Sequence, residues 1–125
     1  MVSMGGASYG TPTLNHVAIK ASAAVSTNTN GTAFDVSSYG NLIIFVNCSA
    51  VSGSATPGVT IKLQDGGDNA AAYVDCDSVV FPIITAVGVS TPIVLQGAFS
   101  KNLRLVYTVS GTSPSITLSV DGYYY

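Results

Sequence analysis

Short runs in which apolar and polar residues alternate, separated by clusters of turn-forming residues, are the feature that most limits how this chain can fold. The clearest run covers residues 102–110, where Leu103, Leu105, Tyr107 and Val109 occupy every second position. Side chains that repeat with a period of two lie on one face of a β-strand. No segment shows the 3.6-residue period of an amphipathic helix, so we expect an all-β protein.

About eight short strands are predicted from these runs. The last two runs are separated by four turn residues, which predicts a terminal hairpin. The run at residues 42–51 begins with apolar side chains on both faces, which predicts a place in the middle of a sheet. Pro82 restricts its run to a sheet edge or a bulge. The first run begins at His16, and the others cover residues 33–36, 42–51, 59–64, 73–75, 79–85, 90–96, 102–110 and 115–120.

The predicted fold is an antiparallel two-sheet sandwich or a jelly roll. A parallel sheet is excluded because no segment is available for crossover helices. The 125 residues have room for one domain, which we assign to residues 14–125. Residues 1–13 are rich in Gly, Ser and Thr and contain few large apolar side chains. We expect them to form a flexible N-terminal arm that orders only on a partner.

Charge is scarce in this chain, and its scarcity excludes several classes of partner. Charged residues make up 8% of the sequence, against about 25% in an average soluble domain. The basic residues are too scattered to neutralise several phosphates, so no nucleic-acid partner is expected. The charge-free stretches 36–61 and 78–100 are broken by turn residues, so neither can span a membrane. Residues 1–13 lack the features of a secretory signal, which predicts synthesis for use in the cytoplasm.

The residue pattern shows no recognisable catalytic site. His16 is the only histidine, and a lone histidine at a strand entrance is more typical of surface structure than of acid–base catalysis. No nucleophile elbow, phosphate-binding loop or Cys/His pairing occurs. We therefore expect a protein that is not an enzyme and that uses no cofactor.

A cluster of oxygen-bearing residues could in principle bind calcium. Its members fall within a short span, but their spacing matches no EF-hand, and Asp and Asn are also the residues that turns require. We therefore predict no metal site, with a bound cation as the alternative. The cluster contains Asp65, Asp68, Asn69, Asp75 and Asp77.

The two cysteines, Cys48 and Cys76, lie in different predicted strands, at a spacing that matches no zinc or redox motif. In a reducing compartment they are expected to be two free thiols that act as small apolar side chains. A disulfide between them is the alternative.

The chain ends in three consecutive tyrosines. Because successive side chains of a strand point to opposite faces, Tyr124 should point inward while Tyr123 and Tyr125 point outward. The outward pair either extends the last strand or anchors a subunit interface, where tyrosine is enriched. We name Tyr123 and Tyr125, together with Tyr9 of the arm, as candidate interface residues. A tyrosine platform for sugars is only weakly indicated, because no Trp is present.

Three segments carry a resemblance to a known group of proteins. The first runs Phe-Asp-Val-Ser-Ser-Tyr-Gly-Asn-Leu over residues 34–42, and the second runs Val-Thr-Ile-Lys-Leu-Gln-Asp over residues 59–65. The third, at residues 101–116, reads Lys-Asn-Leu-Arg-Leu-Val-Tyr-Thr-Val-Ser-Gly-Thr-Ser-Pro-Ser-Ile. Together they make the chain similar to small β-sandwich proteins of tailed bacteriophages that decorate or cement the capsid. The tyrosine ending and the two cysteines depart from that group.

The resemblance implies a virion structural protein on the outer surface of the capsid, assembled in the host cytoplasm. Its partner would be the major capsid protein, which it would bind without covalent bonds, as a homo-oligomer such as a dimer or trimer. The low charge agrees, because surfaces buried between subunits do not carry unpaired charges cheaply. The alternative is a carbohydrate-binding or receptor-binding module of a phage tail or fibre.

Overall fold

The computed structural model describes residues 14–125, which form seven β-strands. No helix long and apolar enough to cross a membrane occurs in this part of the chain. The predicted arm, residues 1–13, lies outside the described residues, as does Tyr9. The strands are β1 (Asn15–Val25), β2 (Thr29–Asn30), β3 (Asn41–Asp65), β4 (Val74–Asp75), β5 (Gly88–Val89), β6 (Ile93–Gln96) and β7 (Leu103–Tyr124).

The two longest strands, β3 and β7, form an antiparallel ribbon that organises the rest of the molecule. Their pairing runs from Leu42 opposite Tyr124 to Asp65 opposite Leu103, with register shifts near the middle of both strands. There the backbone φ is positive at Gly53 and at Gly111. A Cβ atom at position 111 would lie 2.8 Å from Cα of Pro57, a distance that only glycine permits. The ribbon therefore bends where the backbones of β3 and β7 approach each other closely.

The predicted terminal hairpin is wrong. Residues 102–110 and 115–120 are the two halves of β7, and each half pairs with a different half of β3 instead of with the other. The turn cluster at residues 111–114 lies opposite the turn cluster at residues 52–58 of β3. Because both strands bend at the same level, the turn changes the direction of β7 without reversing it.

All strand pairs of the described residues are antiparallel and belong to one sheet. The order is β1-β7-β3-β4, with β2 on β7 and with β5 and β6 on β3. The all-β, antiparallel prediction is confirmed, as is the central place of residues 42–51. A sandwich of two separate sheets with about eight strands is not confirmed, because β3 and β7 continue through the bend and curl the sheet into a half-barrel.

Two predicted strands are reduced to isolated bridges. In residues 33–36 only Phe34 pairs, with Leu103, because the carboxylate of Asp35 accepts hydrogen bonds from the N–H and hydroxyl of Ser37 and turns the chain. In residues 79–85 only Ile84 pairs, with Val59, since Pro82 has no N–H to donate to a ladder.

The core lies on the concave side of the curled sheet and is filled by the inward rows of both halves of the ribbon. Each fully buried aliphatic or aromatic side chain contributes about 1.5 to 3 kcal/mol relative to exposure. No polar or charged residue of the described range is fully buried, and the buried side-chain polar atoms without a hydrogen-bond partner in this range are the hydroxyls of Ser90 and Tyr107. The rows consist of Leu42, Ile44, Val46 and Cys48, then Val59, Ile61 and Leu63, then Leu103, Leu105 and Tyr107, and finally Ile116, Leu118 and Val120.

Candidate docking face

The convex side of the sheet carries apolar side chains over one half of the molecule. There β1, β7, β3 and β6 lie side by side, and one row of direct cross-strand neighbours runs His16, Tyr123, Ile43 and Val94. Val94 is 60% exposed and Leu14, just before β1, is 56% exposed. We call this surface the apolar face; its apolar members are Leu14, Ile43, Phe45, Val89, Val94 and Tyr123.

A groove of about 380 Å³ opens on the apolar face and is lined by Leu14, Ile43, Phe45, Asp121 and Tyr123. Strand alternation places these side chains here, because Leu42, Ile44 and Val46 take the opposite, buried face of the same strand. Phe45 stands directly opposite Asp121 in the β3–β7 register, and Ile43 stands opposite Tyr123. The groove is thus built from neighbouring positions on two central strands and the entrance of β1.

Three rings line up across the groove. The ring of Tyr123 lies between His16, at 5.1 Å between centroids, and Phe45, at 5.7 Å and 83°. His16 also approaches Asp121, with 2.7 Å between Nε2 and Oδ1. A His–Asp pair can orient a nucleophile in an enzyme, but the groove beside this pair is lined by three apolar side chains, one tyrosine and the aspartate itself. The arrangement suits binding better than chemistry.

A strip of exposed aliphatic side chains extends the apolar surface along the β3 edge of the sheet. Val80, Ile83, Val87 and Val89 are 64 to 75% exposed, and they belong to the charge-free stretch 78–100. Val89 pairs with Asn47 and so faces outward on the same side as Phe45. Single exposed aliphatics are ordinary, but contiguous ones mark surfaces that bind proteins or membranes.

The other half of the ribbon has a convex surface of opposite character, which we call the polar face. Asp75 accepts hydrogen bonds from Gln64 at 2.7 Å and from Lys62 at 3.0 Å. The amide of Gln64, followed by Lys62, lowers the pKa of the Asp75 carboxyl. Arg104 donates to Gln64 at 2.9 Å and lies 3.7 Å above the ring of Tyr73. The apolar face is therefore a local feature and does not simply follow from a chain that is poor in charge.

The structure separates the candidate interface tyrosines. Tyr123 lines the groove, as its outward position predicts. Tyr124 packs against the core and contacts Tyr39 edge to face at 4.7 Å. Tyr125 follows β7, and its backbone N–H and carbonyl exchange hydrogen bonds with the backbone of Asn41. The groove residues of β3, Ile43 and Phe45, were not predicted, because apolar residues on both faces of a strand were interpreted as burial.

The acidic cluster is used by turns and ion pairs. Asp65 accepts hydrogen bonds from the N–H of Gly67 and the hydroxyl of Ser100, and Asp68 accepts one from the N–H of Lys101. Among residues 14–125 no group of three His, Cys, Asp or Glu side chains is placed to bind a metal ion. The turn interpretation accounts for Asp65 and for Asn69, which accepts a hydrogen bond from the N–H of Ala71, whereas Asp68 bonds to a residue 33 positions away.

Both cysteines have free thiols, Cys48 in the core and Cys76 half-buried. Burial raises the pKa of the Cys76 thiol, and the neighbouring carboxylates of Asp65, Asp75 and Asp77 raise it further. Since the thiolate is the reactive form, this environment favours an inert thiol.

Comparison with known proteins adds no identification. No family model matches the chain, and no curated protein is significantly similar to it.

Proposed function

We propose that this protein is a virion structural protein, a capsid decoration or cement protein that docks through its apolar face onto the assembled phage head. The observation that carries the proposal is the contrast between the two convex surfaces of one curled sheet. The polar face satisfies its charges internally, whereas the apolar face leaves aliphatic and aromatic side chains in water. A surface of this kind is most stable when another protein covers it.

The partner in this proposal is the major capsid protein on the outer surface of the shell. A protein that binds only the intact shell stabilises it by mass action, because opening the shell requires release of the bound copies. Stabilising a shell in this way requires a rigid core and a complementary surface, and it requires no catalytic group. We further propose that the bent ribbon is equivalent to a two-layer sandwich, since its two halves contribute inward rows to a single core.

The groove also supports a second candidate, a carbohydrate-binding or receptor-binding module of a tail or fibre. Phe45 and Tyr123 offer aromatic surface beside the carboxylate of Asp121, and sugars bind to such combinations of ring and polar group. Tyr73 is a poorer platform, because the guanidinium of Arg104 already covers its ring.

A pair of matched variants tests the docking proposal. Val94 on the apolar face and Val74 on the other half are 60% and 67% exposed, and each lies on a short strand paired with β3. Val94→Asp should reduce co-sedimentation with shells of the major capsid protein encoded in the same genome by about tenfold or more, because it buries an unpaired charge on docking. Val74→Asp should leave binding unchanged.

Equal binding of the two variants to shells would contradict docking through the apolar face, and absence of shell binding by the natural chain would contradict the decoration proposal itself. Saturable binding of a glycan at the groove, abolished by Phe45→Ser, together with no binding to shells, would favour the second candidate.

A further inference from the structure

Asp121 is the one formally charged residue among the five that line the groove. Its side chain is 40% exposed, and it lies between apolar walls instead of at a polar rim. Docking of the apolar face would remove this carboxylate from water. A carboxylate loses several kcal/mol on such desolvation unless a cation or strong hydrogen-bond donors replace the water.

Asp121 is only partly satisfied by its own chain. Oδ1 contacts Nε2 of His16 at 2.7 Å, whereas Oδ2 accepts no hydrogen bond from the described residues. Each carboxylate oxygen can accept about two hydrogen bonds. Oδ2 therefore has its full capacity available to a donor that enters the groove.

The basic residues of the described chain are engaged elsewhere. Lys62 and Arg104 belong to the polar face, and Lys101 lies near Asp35, on whose carboxylate its charge acts. The Nζ of Lys20 donates to the carbonyls of Ala21, Ala23 and Leu118, where β1 bulges away from β7. Apart from the imidazole of His16, which can carry a positive charge, a cationic side chain for Asp121 would therefore have to come from another molecule.

The walls of the groove suit the rest of a long basic side chain. Leu14 and Ile43 offer aliphatic surface for a methylene stem, and Phe45 and Tyr123 offer rings to which a cation is attracted. The molecule already shows the same chemistry on its polar face, where the guanidinium of Arg104 lies 3.7 Å above the ring of Tyr73.

We propose that the groove receives an arginine or lysine side chain of the partner protein, with its charged end on Asp121 and its stem between the apolar walls. This inference rests on the proposed docking function and specifies the partner's chemistry at the centre of the apolar face. In this arrangement Asp121 selects the partner by charge, while the surrounding aliphatic side chains contribute buried apolar surface.

The probe is the blocked tripeptide acetyl-Leu-Arg-Leu-amide, compared with the same peptide carrying citrulline, the neutral isostere of arginine. Backbone amide shifts in NMR titrations should locate the arginine peptide at β7 residues 121–123 and at β3 residues 43–45. We expect the citrulline peptide to bind about tenfold more weakly, the effect of losing one charge contact. Asp121→Asn should abolish the difference between the two peptides.

Asp75→Asn is the matched control. Asp75 is 41% exposed, against 40% for Asp121, and it too is paired with a side chain that can carry a positive charge. It should leave the preference for arginine intact. The inference is overturned by equal affinities of the two peptides, by an equal effect of the two Asp variants, or by absence of saturable shifts at about 10 mM arginine peptide.

The two proposals fail separately. If the arginine preference is found but Val94→Asp still binds shells, the groove accepts a basic side chain and docking through the apolar face is wrong. If Val94→Asp loses shell binding while the two peptides bind with equal affinity, docking through the apolar face stands and the proposed arginine or lysine of the partner is wrong.

Discussion

Tyr107 is the largest fully buried side chain, and its hydroxyl has no hydrogen-bond partner among the described residues. An unsatisfied buried hydroxyl costs about 1 to 3 kcal/mol. Tyr107→Phe removes that group and keeps the ring, so we expect the free energy of unfolding in urea to rise by about 1 kcal/mol at neutral pH. A loss of stability would instead show that the hydroxyl is bonded in solution.

Tyr107→Phe should also change how the stability of the protein depends on pH. Burial raises the pKa of the Tyr107 hydroxyl above its ordinary value, which is about 10 in an unfolded chain. The unfolded state therefore releases this proton first, and the contribution to stability is present below pH 10 and lost as the pH rises above it. Because Tyr107→Phe has no such proton, its advantage over the natural chain should widen above pH 10.

At the scale of elements, the bend of the β3–β7 ribbon depends on a close approach of the two strand backbones. Gly111 has a φ of +101°, and a Cβ there would lie 2.8 Å from Cα of Pro57. Gly111→Ala should lower the free energy of unfolding by roughly 3 kcal/mol, from backbone strain and overpacking together. Gly97 has a φ of +137° but open space around it, so Gly97→Ala should cost only about 1 to 2 kcal/mol of strain. If both variants lost the same free energy of unfolding in urea, the close approach of the two backbones at Gly111 would have no special role.

At the scale of the whole molecule, the apolar strip beside the apolar face is a surface at which copies of the chain are expected to meet. Ile83 and Val87 are each 64% exposed, so replacing both with Ser should barely change the stability of a monomer. If the strip holds copies together in the expected homo-oligomer, the double variant should dissociate at about tenfold or higher concentration in sedimentation velocity. Val74→Ser, at a similarly exposed valine of β4 that does not belong to the strip, is the control. An unchanged dissociation constant would exclude the strip as the contact between copies.

Alternation along the chain was enough to assign the inward rows, because a β-strand presents every second residue to the same side whatever it pairs with. The positions of Leu103, Leu105 and Tyr107 in the core, the outward position of Tyr123 and the use of Asp65 by a turn all follow from local pattern and turn chemistry. Apolar side chains on both faces at the start of residues 42–51 predicted a central strand, and β3 has neighbours on both edges there.

Pairing was decided only by the tertiary structure. A turn cluster such as residues 111–114 can reverse a strand or bend it, and the outcome depends on whether the partner strand bends at the same level. The apolar face required the same information, because His16 and Asp121 are 105 positions apart in the chain and meet only when β1 pairs with β7. Local sequence indicates which residues of a strand share a face, because covalent geometry makes successive side chains alternate. Which strands became neighbours, and hence which exposed side chains form one surface, was set by long-range packing that no local pattern encodes.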